Sequence, residues 1–131
     1  MAVNIKFGLS HKCGLLMAVS SLPSEYGIGS FGKPCYDWID FMDKTSTKCW
    51  QVLPLNPTAY GDSPYQSPSS FAGNPYFVDM DELKSAGLLS DTVLESQKDC
   101  CERVNYGRLF ETRINVLKKA YSNFKKNAAF T

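Results

Sequence analysis

Two short, largely apolar runs, GLLMAV from Gly14 to Val19 and CWQVLPL from Cys49 to Leu55, constrain this chain more than any other feature. Such runs fit strands covered on both faces, as in parallel sheets, better than strands with one wet face. Between them, after a Pro/Gly-rich loop, Pro34 opens a segment in which Cys35, Trp38, Ile39 and Met42 recur at helical spacing. Proline is tolerated there because an N–H in the first turn has no intrahelical partner to lose. Strand, helix and strand in that order predict a right-handed βαβ unit with parallel strands, and so an α/β fold. Pro54, near the end of the second run, predicts that pairing stops there.

The stretch AYGDSPYQSPSSFAGNPYF, Ala59 to Phe77, follows that second strand. It therefore leaves from the carboxyl end of the strand, where parallel α/β proteins bind ligands. Asp62, Ser63, Tyr65, Gln66 and Asn74 supply donors and acceptors, while Tyr60, Tyr65, Phe71 and Tyr76 supply flat apolar faces. Sugars have apolar ring faces and hydroxyl-lined edges, and the mixture suits them. The same residues also fit a rigid surface loop whose tyrosines cover the core and whose polar side chains bond their own backbone. Glycosidase-type chemistry needs two carboxyl groups flanking one bond. Asp62 is the only carboxylate in this loop, and Asp37, Asp40 and Asp43 sit on a helix where solvated surface is the default, so no catalytic residue is assigned.

GIGSFG, Gly27 to Gly32, spells G-x-G-x-x-G before a predicted helix. In the dinucleotide fingerprint the glycines follow the strand at once, whereas SSLPSEY intervenes here, and the second strand ends on Asn56 and Pro57 instead of an acidic residue. The glycines are expected to serve tight turns in a loop across a barrel rim. Downstream, DMDELKSAGLL predicts a short helix with acidic residues at its start and Gly87 near its end, and SDTVLESQKD predicts another. A long amphipathic helix follows, with Phe110, Ile114, Leu117, Tyr121 and Phe124 as its core stripe and Arg113, Lys118 and Lys119 off it.

Fourteen basic residues against thirteen acidic ones give a net charge of +1, which offers no electrostatic case for nucleic acid or an anionic membrane. The cysteines, Cys13, Cys35, Cys49, Cys100 and Cys101, are odd in number without C-x-x-C spacing, and His11 is the only histidine. Ordinary thiols in a reducing compartment are expected, and neither a disulfide scaffold nor a metal site. The N-terminal apolar run is too short to span a bilayer and lacks a signal-peptide pattern, so a cytoplasmic location is expected.

Three segments, LPSEYGIGSFGKPCYDWIDFM, CWQVLPLNPTAYGDSPYQSPSSFAGNPYF and VNYGRLFETRINVLKKAYSNF, resemble in order and spacing the N-terminal part of the 4-α-glucanotransferases, the amylomaltases or disproportionating enzymes of glycoside hydrolase family 77. The resemblance runs from about Gly14 to Phe124. It implies the N-terminal part of a (β/α)₈ TIM barrel, with the first βα units and a glucan-binding loop at about 14–80 and a helical insertion at about 81–131. Such a barrel takes about 250 residues, so it is incomplete in this chain. The activity implied is transfer of a segment of an α-1,4-glucan to an acceptor glucan or glucose, by a retaining mechanism and with no cofactor. Ser63 and Tyr65 would line donor-sugar subsites, and Tyr60 and Tyr106 an accessory surface for longer glucans. The family's catalytic carboxylates fall downstream of anything present here, so the rest of an enzyme is expected for function and this chain alone is expected to be inactive. Asn105 stands where the family usually has Asp, and MAVSSLP where many members have His-Pro-Thr before Ser-Leu-Pro. Two other readings are a stand-alone carbohydrate-binding module and a non-functional truncated product.

Overall fold

The computed structural model describes residues 13–99 and 102–128; His11, Cys100 and Cys101 lie outside the described residues. Strand β1 is Gly14–Leu16, helix α1 Lys33–Lys44, strand β2 Cys49–Gln51, helix α2 Met80–Ser85, helix α3 Asp91–Gln97 and helix α4 Tyr106–Ala128. The strands pair in parallel, Gly14 with Cys49, Leu15 with Trp50 and Leu16 with Gln51. The ladder continues one bond further at each end, from Lys48 N–H to the Cys13 carbonyl and from Met17 N–H to the Gln51 carbonyl. The expected βαβ unit is present.

Each strand is shorter than its apolar run. Val19–Ser21 turns into a 3₁₀ segment instead of extending β1, and Pro54 lies in an unpaired stretch after β2, where it has no N–H to give a ladder. The expectation of cover on both faces fails. All of β1 is exposed, as are Cys49 and Gln51 of β2. One helix and one neighbour cannot cover both faces of a two-stranded ribbon. What cover there is comes from α1, whose Trp38 stacks on Phe41 at 5.5 Å and meets the edge of Trp50 at 6.3 Å.

Helix α1 buries Cys35 and Met42, as its spacing requires, but leaves Ile39 on its outer side, 47% exposed. The chain reverses after it through Ser46 at φ +56°, which lets Thr47 N–H reach the Met42 carbonyl. Helix α2 starts and stops as its sequence predicts. Asp79 Oδ1 accepts from Glu82 N–H at 3.0 Å, and Gly87 at φ +70° closes the end with Gly87 and Leu88 N–H bonded back to Lys84 and Leu83.

The glycine-rich loop is core. Leu22, Tyr26, Ile28 and Ser30 are all buried. A Cβ on Gly29 would overlap the Val19 carbonyl oxygen and stand 2.8 Å from Leu22 N, and one on Gly32 would overlap the Asp79 carboxylate. Ser30 Oγ donates to that same carboxylate at 2.5 Å. The negative group beside the start of α1 is therefore the protein's own Asp79, in the position where a nucleotide phosphate would have to lie. Gly27, at φ +77°, serves a turn as expected.

Helix α4 exists as predicted but is turned by about one residue from its expected face. Phe110, Tyr121 and Phe124 of the expected stripe are 75%, 61% and 55% exposed. The buried line is Leu109, Arg113 and Ala120, with Val116 packed beside it, while Ile114 and Leu117 of the expected stripe are half-buried and Ile114 packs against the core. Arg113, read from sequence as solvated, is 1% exposed. Its Nη2 donates to the Tyr26 carbonyl at 2.6 Å, which ties α4 to the glycine loop. The core falls into two clusters. Val19, Leu22, Ile28, Cys35, Tyr76, Phe77 and Leu109 form one, and Tyr26, Met80, Leu89, Leu94 and Ala120 the other.

Candidate functional site

The long loop after β2 is built, not slack. Its two ends are tied by Asn74 N–H to the Leu55 carbonyl at 2.8 Å and by Asn56 Nδ2 to the Ala72 carbonyl at 3.1 Å. Inside it, Ser69 Oγ accepts from Phe71 and Ala72 N–H, Ser63 Oγ from Tyr65 N–H, and the buried Asn74 Oδ1 from Tyr76 N–H. These are side-chain imitations of backbone turns. The loop's polar side chains do bond their own backbone, and its Tyr76 and Phe77 do enter the core.

One turn departs from that pattern. Gly61 and Asp62 both take left-handed backbone, at φ +74° and +54°. Glycine does this freely and aspartate is among the few residues that tolerate it. The turn, Tyr60–Asp62, puts Asp62 on a cleft that Tyr106 also lines, and its charge adds to the upward shift of the Tyr76 and Tyr106 phenols. Those two rings lie 6.4 Å apart, one from the loop and one from the first residue of α4. Burial raises the Tyr106 phenol above its usual range and Asp62 adds to the effect, while a hydrogen bond with the Ser20 side chain opposes it. Burial likewise raises Tyr76, with Asp62 adding and Arg113 opposing.

Asn105 fixes the start of α4. Its Oδ1 accepts from Arg108 N–H at 3.0 Å, the bond an Asp there would make, so Asn substitutes for Asp without loss of the cap. Tyr106 consequently stands at a defined place between two clefts. One, of about 100 Å³, lies past the carboxyl ends of both strands between Ala18–Ser20 and Leu53–Leu55, with Phe77 and Tyr106 in its wall. The other, an open cleft of about 690 Å³, runs between Asp62 and the segment Glu102–Gly107.

Of the residues singled out from sequence, Tyr60 opens the turn that carries Asp62, and Tyr106 lines the same cleft as Asp62. Ser63 is half-buried, and Tyr65 stands out in solvent, 73% exposed. The structure thus puts Asp62 and Tyr106 on one cleft whose lining does not include Tyr65. Ser20, Glu102 and Arg103 were not legible as site residues. They sit far from the loop in sequence and have no motif of their own. Among the described residues no helix is long and apolar enough to cross a membrane.

A family model described as 4-alpha-glucanotransferase matches residues 17–131. The chain is 52% identical over 110 residues to a 4-alpha-glucanotransferase of Clostridium butyricum, a match that covers 82% of this chain and 23% of that protein. A 4-alpha-glucanotransferase of Thermus thermophilus is 44% identical over 116 residues, covering 88% and 23% of the two. Among solved structures, the amylomaltase from Streptococcus agalactiae in complex with acarbose superposes with a TM-score of 0.83 at 44% identity, over 88% of this chain and 24% of that one. The α/β arrangement described above is therefore that of part of an amylomaltase. The chain spans about a quarter of the length of the curated relatives it matches. With the match running from residue 17, just past β1, through β2, the built loop and the whole of α4, the chain belongs to the 4-alpha-glucanotransferase family.

Proposed function

We propose that this chain supplies a glucan-binding wall of a 4-alpha-glucanotransferase. In this reading residues 14–80 are the first βα units of a (β/α)₈ barrel and 81–131 a helical insertion. The complete enzyme moves a segment of an α-1,4-glucan to the 4-position of an acceptor glucan or glucose by a retaining mechanism, in the cytoplasm and without a cofactor. Ser63 and Tyr65 line donor subsites, and Tyr60 and Tyr106 form an accessory surface for longer chains. The observation that carries the reading is Tyr106 in the wall of two clefts, one past the carboxyl ends of the strands and one shared with Asp62, in a chain matched to the family from residue 17 onward. A phenol and a carboxylate lining one cleft suit the donor and acceptor edges of a sugar, and the family relative crystallised with acarbose, a sugar analogue, supports that ligand class.

The chain contributes binding and not the reacting pair, because glycosyl transfer requires two carboxyl groups set across one bond. Two preparations test this: the chain by itself, and a chimera in which residues 17–131 replace the matching quarter of the Clostridium butyricum relative. Incubated with maltotriose, the chain alone is expected to leave it intact, and the chimera to produce glucose and longer maltodextrins. In the chimera, Tyr65→Ala is expected to lower kcat/KM by about tenfold or more through lost transition-state contact, and Tyr36→Ala, also exposed but on α1, to leave it near the parent value. Turnover by the chain alone, or equal losses in the two variants, would overturn the assignment.

A further inference from the structure

Helix α4 leaves its aromatic stripe largely uncovered. Phe110, Ile114, Leu117, Tyr121 and Phe124 step by 4, 3, 4 and 3 residues, the spacing of a seam between two paired helices. Ile114 and Leu117 are half-buried, whereas Phe110, Tyr121 and Phe124 are exposed. The two flanks of this seam differ. Arg113 and Ala120, on the core side, are buried in the chain's own interior. Glu111, Lys118 and Lys125, on the outer side, are exposed and make no ion pair among the described residues. Lys125 Nζ sits over the Tyr121 ring, 5.4 Å from its centroid.

The free flank decides which partner fits. In a parallel helix pair the outer flank of each helix meets the core-side flank of the other, and here that flank is already taken. In an antiparallel pair outer flank meets outer flank. This flank reads acid, base, base at seven-residue steps, Glu111, Lys118 and Lys125, and its two ends are complementary to each other when the direction is reversed. We propose that the stripe of α4 is the seat of a second copy of this chain, docked antiparallel through its own α4 stripe with the two-fold axis at Lys118. Glu111 then comes opposite Lys125 of the second copy, and Lys125 opposite its Glu111. In the same register Leu117 meets Tyr121 and Ile114 meets Phe124, each twice, which makes four apolar layers. The two Lys118 side chains meet at the axis, where their long stems let the ammonium groups turn to water. The contact uses the same patch on both copies, so it closes at two. A seam of four layers is short, which places the dimer among weak ones, with a Kd on the order of 10 μM. The pairing is a property of the chain itself and goes beyond the transfer reaction proposed above.

Sedimentation equilibrium of the whole chain tests it, at concentrations from about tenfold below to about tenfold above that Kd. The buffer is kept reducing, because Cys13 and Cys49 are exposed thiols. A monomer–dimer equilibrium is expected. Tyr121→Ala, at an exposed position that occurs in two layers, is expected to raise the Kd at least about tenfold. Glu111→Lys and Lys125→Glu each turn two attractive contacts into repulsive ones and are expected to raise it about tenfold, while the double variant, which restores both pairs in reverse, is expected to return it near the parent value. Thermal melts below the Kd, where every variant is monomeric, separate folding from pairing. A chain that stays monomeric throughout, or a double variant no better than the single ones, would overturn the proposal. A monomeric chain in which Tyr121→Ala destabilises only the chimera would also overturn it, and would give the stripe to the remainder of the enzyme.

Discussion

The two strands and the glycine loop exchange the places their compositions suggest. Leu15 and Leu16 belong to the most continuous apolar run in the chain, yet Leu16 is 61% exposed. The loop from Leu22 to Gly32, dense in turn formers, is packed between both core clusters and touches α1, α2 and α4 through Gly32, Asp79 and Arg113. Hydrophobicity states which surface gains by being covered. Whether it is covered depends on there being a neighbouring element at the right distance, and three-residue strands with one strand partner have only α1 to supply it, at Trp50. Small residues, in contrast, allow backbone to approach backbone closely, so a loop without large side chains can become the seam of the core.

The sharpest way to break this contrast is one substitution on each side of it. Gly29→Ala forces a Cβ into the Val19 carbonyl and is expected to destabilise the fold by about 3 kcal/mol or more, the upper end of overpacking costs. Leu16→Ser, which deletes far more apolar surface from an exposed strand, is expected to stay within about 0.5 kcal/mol. Urea unfolding followed through Trp38 and Trp50 fluorescence measures both, and equal midpoints would show that the loop is less tightly seated than its contacts state.

A second contrast sets two cations of one helix against each other. Arg113 and Lys118 both lie off the aromatic stripe, but only Arg113 is buried and bonded to the glycine loop. Arg113→Ala is expected to cost about 2 kcal/mol, because the Tyr26 carbonyl loses its partner inside the protein. Lys118→Ala should fall within about 0.5 kcal/mol. A Lys118 effect as large as that of Arg113 would return α4 to the orientation its aromatic stripe predicts.

The smallest effect is a pH dependence. Tyr26 Oη donates to Asp81 Oδ1 at 2.6 Å, and burial, followed by that bond and the charge of Asp81, pushes its phenol far above the ordinary value of 10.0. Above that pH the unfolded chain releases the proton while the folded chain keeps it, so the unfolded state binds fewer protons and stability falls as pH rises. Below it the contribution is fully present. Tyr26→Phe is expected to cost about 1 kcal/mol at neutral pH and to flatten part of the alkaline decline. Thermal melts across neutral and alkaline pH check the slope, and identical slopes in the two proteins would place the decline elsewhere.

The order of elements was readable from residues alone. Pro34 marks the first turn of α1, Asp79 caps α2 and Gly87 ends it, because each of these acts on backbone groups within a few residues of itself. The motif through YGDSPYQ and FAGNP likewise placed the chain in its family without coordinates, and the loop's carboxyl-end position followed from strand order. The site was only partly visible. Asp62 could be seen as a lone carboxylate, but the cleft it lines with Glu102, Arg103 and Tyr106 brings together residues distant in the chain.

Sequence by itself determined which segments are helices, which are strands, and what each would gain from burial, since those are local properties of backbone geometry and side-chain spacing. Tertiary structure alone decided which face of α4 turned inward. A 3-and-4 pattern fixes an apolar stripe on a helix but does not say what lies opposite it. Here the Tyr26 carbonyl lay within reach of Arg113, and Leu109 and Ala120 fitted against the two clusters more closely than Phe110 or Tyr121 could. Close packing and one buried hydrogen bond therefore set the rotation of the helix, and with it the place of Tyr106 in the wall of its two clefts.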